Sequence, residues 1–324
     1  MFGKAMKDIE GSNSIIVSAG DISKRLDVFL SEKTGVTRSQ VLKFIGEGRV
    51  MVNGKAGSAN YKVKKDDDIV FSRPEEESAE LVPEDIPVEI LFRDEHLVVV
   101  NKPPGMVVYP AAGHSQGTLM NALLFQCVKL AGIGGPLRPG VAHRLDKDTS
   151  GVMVVALEDG AYYDLVEQFR GRNISRKYKA LVFGEMKTDS GEISMSIGRS
   201  QANRQKMSTK SRRGKEAVTR WKVSRRFYGA TLIEAKLGTG RTHQIRVHFA
   251  AIGHPVLGDI TYGNKSAVEV HRKKITFPRQ MLHAETLGFV HPATGERIEF
   301  SCPMPEDMTE CIKRLEDAGR IGTK

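Results

Sequence analysis

Three short clusters in this sequence carry side chains that could do chemistry. The first is GVAHRLDKDTSG (140–151), in which Asp146 sits in a polar turn two residues after Arg144 and just before a run of apolar residues. A carboxylate in a cleft is a candidate for acid–base or nucleophilic work. The same composition also makes an Asx-turn that only satisfies its own backbone. The second cluster is Arg176-Lys177-Tyr178 at the start of a β-like segment, where a tyrosine is usually a half-buried packing residue. The third is LGTGRTHQIRVH (237–248), a Gly-Thr-Gly turn leading into a helix with Arg241, His243, Arg246 and His248 in its first turns. A helix start with added basic residues favours an anion. His243 and His248 are not at the i, i+4 spacing of helical zinc ligands, and no cysteine or third histidine clusters with them, so no metal is expected. There is neither a P-loop nor a dinucleotide-binding glycine motif, and GIGGPLRPG (132–140) supplies neither, so no nucleotide cofactor is expected.

The elements that must hold these clusters are mostly strands. VEILFRD and HLVVVNKP read as strands, and Thr118 caps a helix expected over 118–131. GVMVVAL (151–157) is a buried strand by its unbroken apolar run. Residues 159–172 are expected to be helical, and 176–184 a strand with Tyr178, Ala180 and Val182 on one face. Paired strands are expected either side of Tyr228-Gly229, then a short helix over 243–251, two strands joined at Pro292 to Gly295, and a helix over 307–318. Strands adjoin strands, which points to an α+β fold with a mixed, largely antiparallel sheet flanked by helices. A smaller α+β module precedes it over 21–73, with Thr37 as an N-cap and Asn53-Gly54 as a hairpin turn. Residues 1–20 are expected to be a flexible extension, 74–87 an acidic linker and 88–324 the larger domain.

Composition narrows the class. A length of 324 residues suggests two domains. Hydrophobic residues make up 40%, and the three cysteines exclude a disulfide scaffold and suggest a reducing cytoplasm. No apolar run approaches about 20 residues, so no membrane span is expected, and the N-terminus lacks the features of a secretory signal. The 49 Lys and Arg against 39 Asp and Glu leave a net charge of +10, and its placement is uneven. Residues 23–73 have eleven basic and six acidic side chains, 74–95 one and nine, and 199–226 eleven and one. Two basic regions of this kind suit a polyanion, and an acidic connector repels one.

Taken in order, the motifs carry a resemblance. RLDVFL followed by TRSQVLKFIGEGRVMVNG resembles the S4 RNA-binding module. HRLDKDTSG, RKYKALV, LGTGRTHQIRVH, GHPVLGDITYG (253–263) and LHAETLGFVHPATGE (282–296) resemble the uridine-to-pseudouridine isomerases of ribosomal RNA that carry such a module. The match runs over roughly residues 20 to 312. It departs at Tyr109, where that family commonly has histidine. The resemblance implies that Asp146 acts at C1′ of a flipped uridine or takes its C2′ proton. Arg241 is then the first choice for its charge partner and Arg246 the second. Tyr178 would stack on uracil and could take the C5 proton. Arg144 would fill the gap left in the base stack, or else pair with a loop carboxylate such as Asp148, while Lys102 belongs to the scaffold. Arg25, Arg38, Lys43 and Arg49 would touch RNA phosphates. So would Arg204, Lys206, Lys210, Arg212 and Arg213, in a basic stretch over 199–226 that reads as a mobile loop leading into a strand. The expected partner is large-subunit ribosomal RNA, with tRNA, or a non-catalytic role in ribosome assembly, as alternatives. A cytoplasmic monomer needing no cofactor is expected.

Overall fold

The computed structural model describes residues 12–72, 80–111, 114–127 and 129–321. The chain divides into two compact units, 1–79 and 80–324.

In the first unit, β1 (Ser12–Ile16), α1 (Leu26–Thr34), α2 (Arg38–Gly46), β2 (Val50–Val52), β3 (Lys55–Ala56) and β4 (Asp68–Ser72) make a four-stranded sheet in the order β1-β4-β2-β3 with two helices. Thr37 and Gln40 form the capping box at the start of α2. Asn53 and Gly54, at φ 50° and 73°, close the hairpin between β2 and β3. Leu26, Phe29 and Leu30 of α1 pack on Val50, Ile69 and Phe71 of the sheet. The first twenty residues are not all a loose extension. Ser12–Ile16 pairs antiparallel with the whole of β4, because without it that strand would be an open sheet edge. Residues 1–11 lie outside the described set.

The second unit contains β5 (Glu89–Arg93), β6 (Leu97–Lys102), α3 (Leu119–Gln126), β7 (Ser150–Ala156), α4 (Asp159–Gly171), β8 (Ser175–Phe183) and β9 (Ser190–Ser194). There follow β10 (Gly198–Arg199), β11 (Met207–Ser208), β12 (Val218–Phe227), β13 (Ala230–Leu237), α5 (Gln244–Ala251), β14 (Ala267–Val270), β15 (Lys273–Thr276), β16 (Leu282–Val290), β17 (Arg297–Ser301) and α6 (Glu306–Ile321). The main sheet runs β5-β6-β7-β16-β8-β13-β12-β9, with β17 also on β16. Every pair is antiparallel except β7 with β16. This is the mixed, largely antiparallel α+β sheet that the sequence implied.

Alternation along the strands sorts side chains to opposite faces. Val98 and Val100 of β6 join α3 and α5 in one core, while Leu97 and Val99 join α4 in another. Parallel β7 and β16 come together at Gly151, where a Cβ would fall 2.2 Å from the Ala284 carbonyl oxygen. A glycine is required there, and its φ is +122°. Helix α3 starts at its Thr118 cap as expected but stops at Gln126.

The acidic connector also departs from expectation. Residues 73–79 lie outside the described set, but 80–87 are tied to α3. Asn121 Nδ2 donates to the Val82 carbonyl, Gln126 Nε2 donates to that of Ile86, and Gly117 N donates to the Glu84 carboxylate. The amides on α3 supply donors that water would otherwise supply. No described helix is long and apolar enough to cross a membrane.

Candidate active site

Asp146 lies on the loop that feeds β7, and several contacts fix that loop. His143 Nε2 accepts from Val154 N at 3.1 Å, and its ring stacks on Phe169 with centroids 4.4 Å apart. Burial pushes the pKa of His143 down to about 3, so the ring stays neutral and can accept. Lys102 at the end of β6 is wholly buried and donates to the carbonyls of Pro103, Met106 and Lys147. Burial draws its pKa down to about 7, with Asp148 pulling the other way. Arg279 Nη1 donates to the Asp148 carbonyl, and Gln280 Nε2 to Thr149 Oγ1. A loop anchored at both flanks holds one side chain in one place.

The Asp146 side chain is 18% exposed. Its Oδ2 accepts from Arg246 Nη1 at 2.8 Å, while Oδ1 lies 3.6 Å from His243 Nε2, beyond hydrogen-bond range. Arg246 also grips Asp259 with both Nε, at 2.6 Å, and Nη2, at 3.0 Å. Its guanidinium lies 5.1 Å from the centroid of the Tyr262 ring. One guanidinium therefore bridges the buried Asp259 and the cleft-facing Asp146. Burial opposes the charge on Arg246, but hydrogen bonds to Asp259 and Asp146 outweigh it and hold the pKa above the usual arginine value. Tyr262 Oη meets His243 Nδ1 at 2.7 Å, which fixes that ring at the head of α5. Burial lowers the pKa of His243.

Arg241 is not the partner of Asp146. It precedes α5, and its Nε donates to the Glu216 carbonyl at 3.0 Å. Gln244 sets this turn: its Oε1 accepts from Arg241 N and Thr239 Oγ1, and its Nε2 donates to Val218 O and Thr219 Oγ1. The second-choice arginine holds the carboxylate. Arg241 still borders the cleft, together with Asp146, Tyr178 and Arg144.

Tyr178 is buried on β8, and its cross-strand neighbours are Ala235 and Ala284. Two small residues leave room for the ring. Burial raises its pKa, so the phenol keeps its proton at neutral pH. Arg144 does not pair with Asp148. Its Nη1 donates to Tyr109 Oη at 2.9 Å, and the guanidinium lies 5.4 Å from the Tyr109 ring centroid. The cleft has a volume of about 510 Å³, and a second cleft of about 600 Å³ also opens on Asp146.

The basic stretch 199–226 leads into a strand as expected, and the part before that strand carries a short strand pair of its own, β10 with β11. Its last third is β12. There Arg220 and Lys222 stand opposite Glu192 and Glu234 on adjacent strands and pair with them. Arg225 pairs with Glu316 and Arg226 with Asp189. These four cations are spent within the fold. Lys206 donates to the Thr261 carbonyl and lines the second cleft, so the basic segment reaches the site itself. Arg204, Lys210, Arg212 and Arg213 are exposed, with no carboxylate partner among the described residues. In the first unit, Arg25 and Arg38 both hold the buried Asp27, while Lys43 and Arg49 both lie near Glu47.

Sequence reasoning did not single out Asp259 or Tyr262 as site residues, although both lie in GHPVLGDITYG. It placed His243 in the basic cluster without giving it a role. A buried acid four residues after a Gly-His-Pro turn gives no signal of which arginine it will hold.

Comparison with known proteins gives the family. Residues 96–251 match the RNA pseudouridylate synthase family, and residues 24–69 match the S4 domain. The chain is 46% identical over 310 residues to the RNA pseudouridine synthase YlyB of Bacillus subtilis, covering 95% of this chain and 100% of that protein. It is 45% identical over 305 residues to ribosomal large subunit pseudouridine synthase D of Zymomonas mobilis, covering 92% and 96%. The solved structure of human RNA pseudouridylate synthase domain containing 1 aligns at a TM-score of 0.56 and 28% identity, over 73% of this chain and 96% of that one. This chain belongs to the RNA pseudouridine synthase family, enzymes that isomerise uridine to pseudouridine within RNA.

Proposed function

We propose that this enzyme modifies uridines of large-subunit ribosomal RNA, working as a cytoplasmic monomer with Asp146 as its reacting carboxylate. The observation that carries this is the placement of Asp146. One oxygen is fixed by Arg246, the other is free, and the carboxylate opens on a cleft beside Tyr178. In the reaction the N1–C1′ bond breaks, the uracil turns, and C5 bonds to C1′. The C5 proton leaves and N1 gains one, so no external reagent is consumed. The free oxygen of Asp146 can attack C1′ or take the C2′ proton. Tyr178 supports the base by stacking. Its raised pKa disfavours a phenolate, so a protonated phenol near C5 would relay a proton only after losing its own.

A base in a stack must be flipped out to meet Asp146, at a cost of a few kcal/mol. Arg144, exposed and resting on Tyr109, is free to swing into the vacated place. The RNA footprint comprises Arg204, Lys206, Lys210, Arg212 and Arg213 together with the S4 unit's Arg25, Arg38, Lys43 and Arg49. Similarity to a protein named for the large ribosomal subunit supports the choice of RNA. Pseudouridine mapping of total RNA from cells with and without the gene tests it. Loss of sites confined to large-subunit rRNA is expected. Loss confined to tRNA would overturn the assignment.

A further inference from the structure

Arg176 is a cation with no counter-charge. On β8 it shares a face with Tyr178, two residues on, and both line the cleft with Asp146. Arg176 is 9% exposed, and its Nε is buried without a hydrogen-bond partner. Its guanidinium lies 5.6 Å from the centroid of the Phe169 ring. Among the described residues no carboxylate pairs with it. Burial lowers its pKa, with the Tyr178 phenol pulling the other way. Space for the guanidinium comes from Gly240, where a Cβ would fall 2.6 Å from Nη1.

A buried, unpaired guanidinium is costly, and proteins normally offset one with an anion. The described residues supply none here, and on the proposed function the cleft beside it receives a polyanion. Four more guanidinium groups border the same cleft; Arg144 is held by Tyr109 and Arg170 pairs with Glu167. Arg241 is directed to a backbone carbonyl, and Arg172 lies 3.7 Å from Glu216. We propose that Arg176, backed by Arg241, binds the RNA backbone phosphate beside the target uridine. This rests on the reading of Asp146 as the reacting carboxylate, which puts the ribose in this cleft. The carbonyls of uracil are neutral and would leave the buried charge uncompensated, whereas a phosphodiester carries one full negative charge in a form that accepts two parallel N–H bonds.

The test is the salt dependence of binding of the full-length enzyme to unmodified large-subunit rRNA transcribed in vitro. Arg176→Met is expected to weaken binding about tenfold and to lower the slope of log affinity against log salt by about one. The free variant should melt no lower than the parent, since an apolar side chain of similar shape replaces an unpaired buried charge. Arg176→Lys should restore the slope. Gly240→Ala keeps every charge but displaces Nη1, and it should also weaken binding. An unchanged salt slope in Arg176→Met, or unchanged affinity in Gly240→Ala, overturns the proposal. A lower melting temperature with the slope intact would make Arg176 a packing residue and overturn it too. Failure of the rRNA assignment would show separately, as no pseudouridine formed in this transcript by the unmutated enzyme.

Discussion

Asp27 and Asp146 are both aspartates held by arginine, yet they are built for opposite ends. Asp27 in the S4 unit is 0% exposed, and Arg25 and Arg38 donate to its two oxygens, at 3.0 Å and 2.8 Å. Val28 N adds a third donor. Its acceptors are filled from within the fold. Asp146 has one arginine on one oxygen, and that arginine is shared with Asp259. Its other oxygen has no donor within hydrogen-bond distance, and the side chain faces a cleft. A carboxylate with every acceptor filled is a structural part, while one with an open acceptor in a preorganised place can still react.

Asp146→Asn sharpens this contrast most. It keeps the shape but removes the charge that, on the proposed mechanism, attacks or accepts a proton. Activity per folded molecule should fall at least about 10³-fold, the scale for losing a reacting group. The melting temperature should change little, because the side chain already faces the cleft. Tritium release from rRNA labelled at uracil C5 measures the first, and a thermal melt measures the second. Near-normal release would return Asp146 to the structural class.

Arg246→Met comes next, because it strikes both carboxylates at once. Asp259 is 1% exposed and would lose its bidentate partner, a break that costs about 3–5 kcal/mol for a buried pair. Asp146 would lose its orientation, and the turnover of whatever remains folded should drop as well. If stability falls while turnover per folded molecule is kept, the guanidinium serves Asp259 alone. Arg241→Met, by contrast, should leave stability almost intact, since that side chain holds only the Glu216 carbonyl and borders the cleft.

The residues alone leave Asp146 an Asx-turn and Tyr178 a packing residue; the resemblance of their motifs singles them out, and the structure brings both to one cleft. The partner arginine was not legible. Two arginines five residues apart compete for one carboxylate, and the winner depends on where α5 begins. Gln244 ties the turn before the helix, so Arg241 stays outside it and Arg246 points inward. The buried cations Lys102 and Arg176 were equally hidden, since burial of a charged strand residue is set by distant elements, here the 143–149 loop and Gly240. The strand in the basic stretch was legible, but the pairing of its cations was not, because Glu192 and Glu234 lie on other strands. The small module read well, as capping and turn signals are local.

Asp27→Asn probes the other side of the comparison with a smaller effect. Its arginine partners, Arg25 first, hold the carboxyl below its ordinary pKa of 3.8 despite burial. As pH falls, the unfolded chain therefore takes up this proton before the folded one does. The stabilisation is complete above about pH 4 and is lost as pH drops through the lower folded value. The variant should lose about 2 kcal/mol at neutral pH, the worth of hydrogen bonds to a charged group, and should show a shallower acid limb in its melting profile. Turnover per folded molecule should stay at the parent level. A large loss of turnover with normal stability would mean that this aspartate is not purely structural.

Arg38→Met carries the smallest expected effect and separates two uses of one charge. The Arg38 side chain is 54% exposed, so its head reaches solvent as well as Asp27. Arg25 still donates to both oxygens, so the loss of stability should be only about 1 kcal/mol. RNA binding should weaken at every salt concentration, with the salt slope falling by about one, if the same guanidinium also meets a phosphate. A stability loss with an unchanged slope would assign Arg38 to Asp27 alone. The S4 unit's RNA footprint would then fall to cations without a partner inside the fold.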